Sequence, residues 1–249
     1  MRQLLLILTL LLATAGNAGA ATLRVAVASN FSQTAKQLVE RFQNESGHRV
    51  LLSPGATGKH YAQIRNGAPF DAFLAADSDR PRLLEQQGLA LPGSRFTYAQ
   101  GRLLLWSPDS ELIDPEGKVL QNGTFRHLAI GNPRLAPYGR AGWQTLERLE
   151  LAKALAGRLV RGENIGQTFQ FVASGNAELG LIALSQVRRP GEEIPGSFWL
   201  VPEHLYDPIE QQAVLLRESE AARDFFAFLR SEQAKRLLQA FGYNGRDAY

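Results

Sequence analysis

The chain has 249 residues, 45% of them hydrophobic, with 27 Lys+Arg against 24 Asp+Glu and no cysteine. Its sequence pI of about 9.3 reflects only that small basic excess. The basic residues stand singly or in pairs such as Arg188-Arg189, with no stripe and no aromatic interleaving, which argues against nucleic acid as a partner. Without cysteine there are no disulfides and no lipoprotein-type anchor, so stability rests on a packed core. This length and composition can supply one, in one large or two small domains.

Met1-Arg2-Gln3 is a short positive segment, residues 4–12 form an apolar run broken only by Thr9, and Ala18-Gly19-Ala20 fits the small-x-small cleavage rule. The run is well short of the roughly 20 residues that a membrane helix needs. It reads as a signal peptide cleaved after Ala20, in preference to an uncleaved anchor, and predicts export to the periplasm.

Next, Thr22–Ala28 (TLRVAVA) alternates and is rich in β-branched and apolar residues, which predicts a strand. Ser29-Asn30 follows. Residues 35–42 then have helical spacing, with Leu38, Val39 and Phe42 on one face and Gly47 as the stop. Residues 48–52 (HRVLL) predict a second strand, which leads into Ser53-Pro54-Gly55-Ala56-Thr57-Gly58-Lys59 and a helix to about Arg65. Small residues and glycines let consecutive N–H groups converge, and a helix starting behind them adds its unpaired N–H groups and the positive end of its dipole. That combination binds anions. The alternative is an ordinary glycine-rich strand-to-helix turn. A P-loop is excluded, because Gly58-Lys59 would need Gly at 53 and Ser or Thr at 60, where Ser53 and His60 stand.

A third strand is predicted over 70–75 and a helix over 80–87, closed by Gly88. This β-α alternation implies a parallel sheet with right-handed crossovers. Further strands are predicted over 102–106, 128–130, 179–184 and 211–216. Further helices are predicted over 141–151 and 167–174, with one or two more within 221–240. At roughly 100 residues per α/β unit the chain divides into two lobes. Neither lobe has a linker at its edge, so they are expected to share strands that cross between them. Residues 21–101 with 208–249 form the expected first lobe, and 102–207 the second.

Ligands of open α/β sheets bind at the carboxyl ends of strands, where loops lead into helices. Four such loops stand out: Ser29-Asn30, Ala56-Thr57-Gly58, Pro137-Tyr138-Gly139 ahead of the helix near Ala141, and Asn164-Ile165-Gly166 ahead of the one at Gln167. Two come from each half of the chain, and converging across a cleft they would surround a small anion with neutral donors. None carries a carboxylate, although Glu163 stands beside one and could turn inward. A protonated oxyanion needs an acceptor for its proton, so a site of donors suits a fully ionised dianion. Lys59 and Arg140 flank two of the loops and are expected at the solvated rim of the cleft.

An enzyme has little support. His48, His60, His127 and His204 lack metal-ligand spacing; His48 is expected at a sheet edge and the others at the surface. No G-x-S-x-G elbow occurs. Ser174-Gly175-Asn176 reads as a helix C-cap. Asp71 and Asp77 read as carboxylates that hydrogen-bond loop backbone at the ends of a strand, not as a glycosidase pair. Trp106, Trp143 and Trp199 read as core or interface aromatics.

Several segments, in their order, resemble the periplasmic molybdate-binding proteins (ModA type) of ABC importers over essentially the whole mature length. They are Val27-Ala28-Ser29-Asn30-Phe31, Gly55-Ala56-Thr57-Gly58-Lys59, Asn66-Gly67-Ala68-Pro69-Phe70-Asp71, Ser94-Arg95-Phe96-Thr97-Tyr98-Ala99, Asn132-Pro133 through Ala136-Pro137-Tyr138-Gly139, and Gly180-Leu181. The resemblance implies an α/β, two-lobed periplasmic binding protein of type II. Each lobe would be a mainly parallel sheet flanked by helices, with the ligand cleft between the lobes. Such a protein is a monomer without catalytic residues or cofactor, and it delivers tetrahedral molybdate or tungstate, nearly equal in size and charge, to a membrane ABC permease.

Carried over position by position, the oxyanion contacts are Ser29, Asn30 and Thr57, through hydroxyl or backbone N–H donors, and Tyr138 and Ile165, through backbone N–H groups at helix starts. No residue would ligate the metal atom directly. Two positions depart from the pattern. Some members place a tyrosine hydroxyl on the oxyanion from the strand that here reads Gly180-Leu181-Ile182-Ala183-Leu184, where Ala183 is the nearest match. Thr57 stands where serine is common, and its methyl narrows the space. The rival readings are a binding protein of the same fold for another oxyanion, such as sulfate, and an exported enzyme.

Overall fold

The computed structural model describes residues 21–123 and 125–244; the signal-peptide reading falls on residues 1–20, outside the described residues. The chain first lays down β1 (Thr22–Ala28), α1 (Ser32–Ser46), β2 (Arg49–Gly55), α2 (Thr57–Arg65), β3 (Ala72–Leu74), α3 (Asp79–Gln86) and β4 (Phe96–Gly101). It then crosses to β5 (Leu103–Ser107), α4 (Val119–Asn122), β6 (Leu128–Gly131), α5 (Pro137–Arg148), α6 (Ala152–Leu155), β7 (Leu159–Gly162), α7 (Ile165–Ala173), β8 (Leu179–Ala183), α8 (Leu184–Val187) and β9 (Ser197–Leu200). It returns through β10 (Ile209–Leu215), α9 (Glu220–Leu229) and α10 (Glu232–Ala240).

Two five-stranded sheets result, in the orders β2-β1-β3-β10-β4 and β7-β6-β8-β5-β9. Their pairing patterns are the same. In the first, β1 is parallel to β2 and β3, and β10 is antiparallel to β3 and β4. In the second, β6 is parallel to β7 and β8, and β5 is antiparallel to β8 and β9. Parallel neighbours need a crossover of a dozen or so residues, which the helices supply. In each sheet the strand with two antiparallel neighbours is the first one laid down after the chain has crossed from the other lobe.

Local chemistry explains most elements. The end of β1 is buried from Val25 to Ala28, as expected of a strand covered on both faces. In α1 the buried stripe includes Leu38, Val39 and Phe42, and Gly47 closes it at φ 72°. Three helices begin on a side-chain cap: Asn164 accepts from Gln167 N (3.0 Å), Ser219 from Ala222 N (3.1 Å) and Ser231 from Ala234 N (3.2 Å). Phe31, Phe42, Phe225, Phe226 and Phe241 fill the first lobe's core. The second core, built on Leu105, Ile130, Leu146 and Leu181, also takes in Ala28 and Ala76 from the first lobe, so the lobes pack on each other.

Four expectations need correction. The lobes share no strand: each sheet is built from its own five, and only the short segments between β4 and β5 and between β9 and β10 cross. The stretch 53–59 is not a loop: β2 runs through Ser53-Pro54-Gly55 and α2 starts at Thr57, leaving Ala56 alone between them. The helix expected from Ala141 starts at Pro137, because proline at the first helical position loses no needed N–H. Strands β4, β7 and β9 were not expected; their short, partly polar sequences carry little periodic signal.

Candidate functional site

Ser29, Asn30, Thr57, Tyr138 and Ile165 all line one small cavity, which Ala28, Gly55, Ala56, Ala76, Ala136 and Pro137 complete. No charged residue lines it. Its floor comes from the ends of β1 and β2, and its other wall from the starts of α5 and α7.

Ser29 follows β1 and opens a 3₁₀ turn over Ser29–Phe31. Its Oγ accepts the Gly166 N–H (3.1 Å). Thr57 is the first residue of α2 and is buried, and its Oγ1 accepts the Ala76 N–H (3.1 Å). A hydroxyl that accepts one hydrogen bond still has its own proton to give, so both side chains are set as donors. Asn30 is different. Its Nδ2 donates to Gln211 Oε1 (2.9 Å) and to the Tyr243 hydroxyl (3.2 Å) and its Oδ1 is buried without a partner, so the donor it has left for a ligand is its backbone N–H.

Tyr138 and Ile165 are the second residue of α5 and the first of α7. N–H groups at those positions have no partner inside their helix, and the positive end of the helix dipole lies with them. Helix α5 can come this close to β6 because residue 139 is glycine: a Cβ there would lie 2.4 Å from Gly131 O. The Tyr138 ring is fully buried, and burial pushes its phenol well above the usual tyrosine range, so it stays neutral.

The lobes meet around the cavity. Gly58 N–H donates to Leu135 O (2.9 Å), and Arg80 donates to Arg134 O (3.1 Å). At the rim, Lys59 pairs with Glu163 at 3.4 Å and Arg140 with Asp79 at 3.7 Å, all of them about half exposed. Lys59 and Arg140 therefore sit at the rim, as expected. Glu163 is taken up by Lys59 and does not line the cavity. Asp77 is buried beside Arg80. Burial raises its carboxyl above the ordinary aspartate value, and the Arg80 guanidinium opposes the shift.

The remaining chemistry-bearing residues have structural roles. Asp71 accepts from Arg24 N (2.7 Å) and Asp77 from Arg80 N (3.1 Å). Ser174 caps α7, followed by Gly175 at φ 75°. Trp106 and Trp199 are buried, and Trp143 packs on the second core. Among the described residues no group of three or more His, Asp and Glu could hold a metal ion.

His48 lies buried just ahead of the edge strand β2, and His127 and His204 are exposed. His60 is a correction: it was expected at the surface but is buried. Its place one turn after Thr57 and one before Ile64, all on α2's buried face, is the signal that would have found it. Its Nδ1 lies 3.1 Å from Gln63 Oε1, while its Nε2 has no partner. Burial lowers its pKa and keeps it neutral.

Sequence reasoning also missed Gln186, Gln211, Ser185, Tyr98 and Tyr243. Gln186 accepts from Ala183 N (2.9 Å) and donates to Ile165 O (2.9 Å). Ala183, the nearest match to the tyrosine that the resemblance implies, is fully buried and brings no hydroxyl, and the Gln186 amide beside it holds the Ile165 backbone.

Residues 23–244 match the family described as bacterial extracellular solute-binding protein. The molybdate-binding protein ModA of Azotobacter vinelandii is 48% identical over 229 residues, 91% of either chain. The chain belongs to this family. ModA of Rhodobacter capsulatus is 42% identical over 239 residues, 95% of this chain and 93% of its own. The solved Azotobacter vinelandii periplasmic molybdate-binding protein superposes with a TM-score of 0.88 at 43% identity, over 90% of this chain and all of that one. The sulfate-binding protein SubI of Mycobacterium tuberculosis, at 13% identity and a TM-score of 0.71 over 91% of this chain and 88% of its own, shares the fold alone. The two-lobed α/β binding-protein architecture expected from the sequence is the one observed.

Proposed function

We propose that this chain captures tetrahedral molybdate, and tungstate with it, in the periplasm and hands it to an ABC permease. It acts as a monomer, after removal of residues 1–20, and by binding and release without chemistry. The observation that carries this reading is the cavity itself: residues that can donate hydrogen bonds line it from both lobes, and no charged residue does. The names of the two relatives identical at 48% and 42% agree with it.

On this reading Ser29 and Thr57 contact the oxyanion through their hydroxyls, Asn30 through its backbone N–H, and Tyr138 and Ile165 through theirs. The lobes, divided near 101/102 and 207/208, close about the two crossing segments. An open form loads the anion on the first-lobe side, and closure adds the helix starts of α5 and α7. Ligand drives that shift by binding the closed state better. Hydrogen bonds to a charged oxygen contribute about 1.5–3 kcal/mol each. A dianion keeps every donor paired, while a protonated anion would set its own donor against another.

The test is a thermal-shift titration of the mature protein with molybdate, tungstate, sulfate and phosphate at equal concentration, followed by calorimetry. Stabilisation by the first two alone, at one anion per chain, is the expected result. Stabilisation by sulfate or phosphate instead would overturn the assigned ligand, and no response to any anion would overturn the carrier reading.

A further inference from the structure

Behind the cavity, a single buried amide touches both lobes. Gln211 lies on β10, the first strand after the chain returns to the first lobe, and is fully buried. Its Oε1 accepts from Asn30 Nδ2 (2.9 Å) and from the Tyr98 hydroxyl (3.1 Å), and its Nε2 donates to the Tyr138 hydroxyl (3.2 Å). It therefore ties a first-lobe residue of the cavity to a second-lobe one. The register between β4 and β10 shifts between Gln211 and Gln212, an irregularity of the kind that re-aims a side chain.

The seat for the Tyr138 hydroxyl is built into the crossover as well. Gly101 ends β4, just where the chain leaves the first lobe. A Cβ there would lie 2.0 Å from the Tyr138 hydroxyl and 2.8 Å from Gln211 Nε2. Gly101 is not among the residues at positive φ, so glycine is required by the space the phenol takes up, not by the backbone. An apolar side chain at 211 would fill the volume without any demand for partners. The amide brings three hydrogen bonds into a dry interior, where each unmade bond would be costly.

We propose that Gln211, with the Tyr138 phenol seated against Gly101, is a positioning residue for the anion site. The rigid ring runs from the start of α5 to the crossover, so the seat fixes where the Tyr138 N–H points relative to Ser29 and Asn30. The inference rests on the oxyanion-binding reading above and assigns the aim of that site to the crossover.

Tyr138→Phe keeps the ring and the backbone N–H and removes only the link. In the full mature protein, with molybdate as the probe, its Kd should rise roughly three- to tenfold, mostly through faster release, and the unliganded melting temperature should fall by about a few degrees because the buried Gln211 Nε2–H loses its acceptor. Gly101→Ala, which displaces the hydroxyl, should reproduce the loss. Gln211→Leu should weaken binding at least as much, and the double variant Tyr138→Phe/Gln211→Leu should be no weaker than Gln211→Leu alone. An unchanged Kd in Tyr138→Phe, a fall in melting temperature with affinity intact, or additive losses in the double variant would overturn the proposal. A wild-type protein that ignores molybdate would overturn the oxyanion reading instead, so the two failures are told apart.

Discussion

Ser29 and Thr57, on the first-lobe side of the cavity, present hydroxyls, whereas Tyr138 and Ile165, on the second-lobe side, present the N–H groups of helix starts while their side chains go into the second core. The hydroxyls depend on residue type, and each is aimed by a backbone N–H that it accepts. The helix starts depend on where α5 and α7 begin and on how they are packed. A hydroxyl donor is therefore lost by a side-chain substitution, while a backbone donor, those of the second lobe and of Asn30 included, survives any substitution but proline and is otherwise lost by moving the backbone. Even within the first lobe the hydroxyls differ: Thr57 is held by Ala76 of its own lobe, and Ser29 by Gly166 of the other.

The largest expected effect is at Thr57. Thr57→Val removes a donor and leaves the buried Ala76 N–H without an acceptor, so molybdate affinity measured by calorimetry should fall roughly ten- to hundredfold, with Thr57→Ser close to wild type. Ser29→Ala should cost about tenfold, less than Thr57→Val because water can reach the partly exposed Gly166 N–H. A larger loss at Ser29 than at Thr57 would break the distinction between an aimed, single-lobe donor and one set by closure.

A pH scan sharpens the comparison from the first-lobe side. His60 packs under Gly55, beside Thr57, and burial holds its pKa below the ordinary value of 6.5. The unfolded chain then takes up that proton more readily, so His60's contribution to stability is complete above pH 6.5 and is lost as pH falls towards the lowered value. The unliganded melting temperature should drop by about a few degrees between pH 7 and 5, and His60→Phe should flatten that slope. An identical slope in the variant would assign the loss to other groups. The smallest effect belongs to the second lobe. Ile165→Val keeps the N–H and should change Kd by no more than about twofold; a tenfold loss would show that the side chain itself sets the site.

Much of this was legible in advance because it is local. A strand such as Thr22–Ala28 is set by its own alternation, and a helix such as Ser32–Ser46 by its stripe and its glycine stop. Donors at helix starts are likewise a property of short segments, which is why four loops could be marked in advance; the family resemblance picked Ser29, Asn30, Thr57, Tyr138 and Ile165 from them, and all five line one cavity. What misled was also local. Ser53-Pro54-Gly55 has a loop's composition but continues β2, because pairing with Ala26, Val27 and Ala28 of β1 extends it. His60 has a surface residue's polarity but stands on a buried face.

The sequence by itself determined the class of the fold, the chain order of its elements and the donor chemistry of the turns, since each follows from a few neighbouring residues. Only the tertiary structure decided which polar side chains are buried and with whom. Gln211 meets Asn30 across 181 positions, and Tyr243 meets Asn30 across 213. Nothing local marks such residues as partners, because an amide or a phenol is equally at home in water. Their burial is fixed only when β10 returns to the first sheet and closes the crossover behind the cavity.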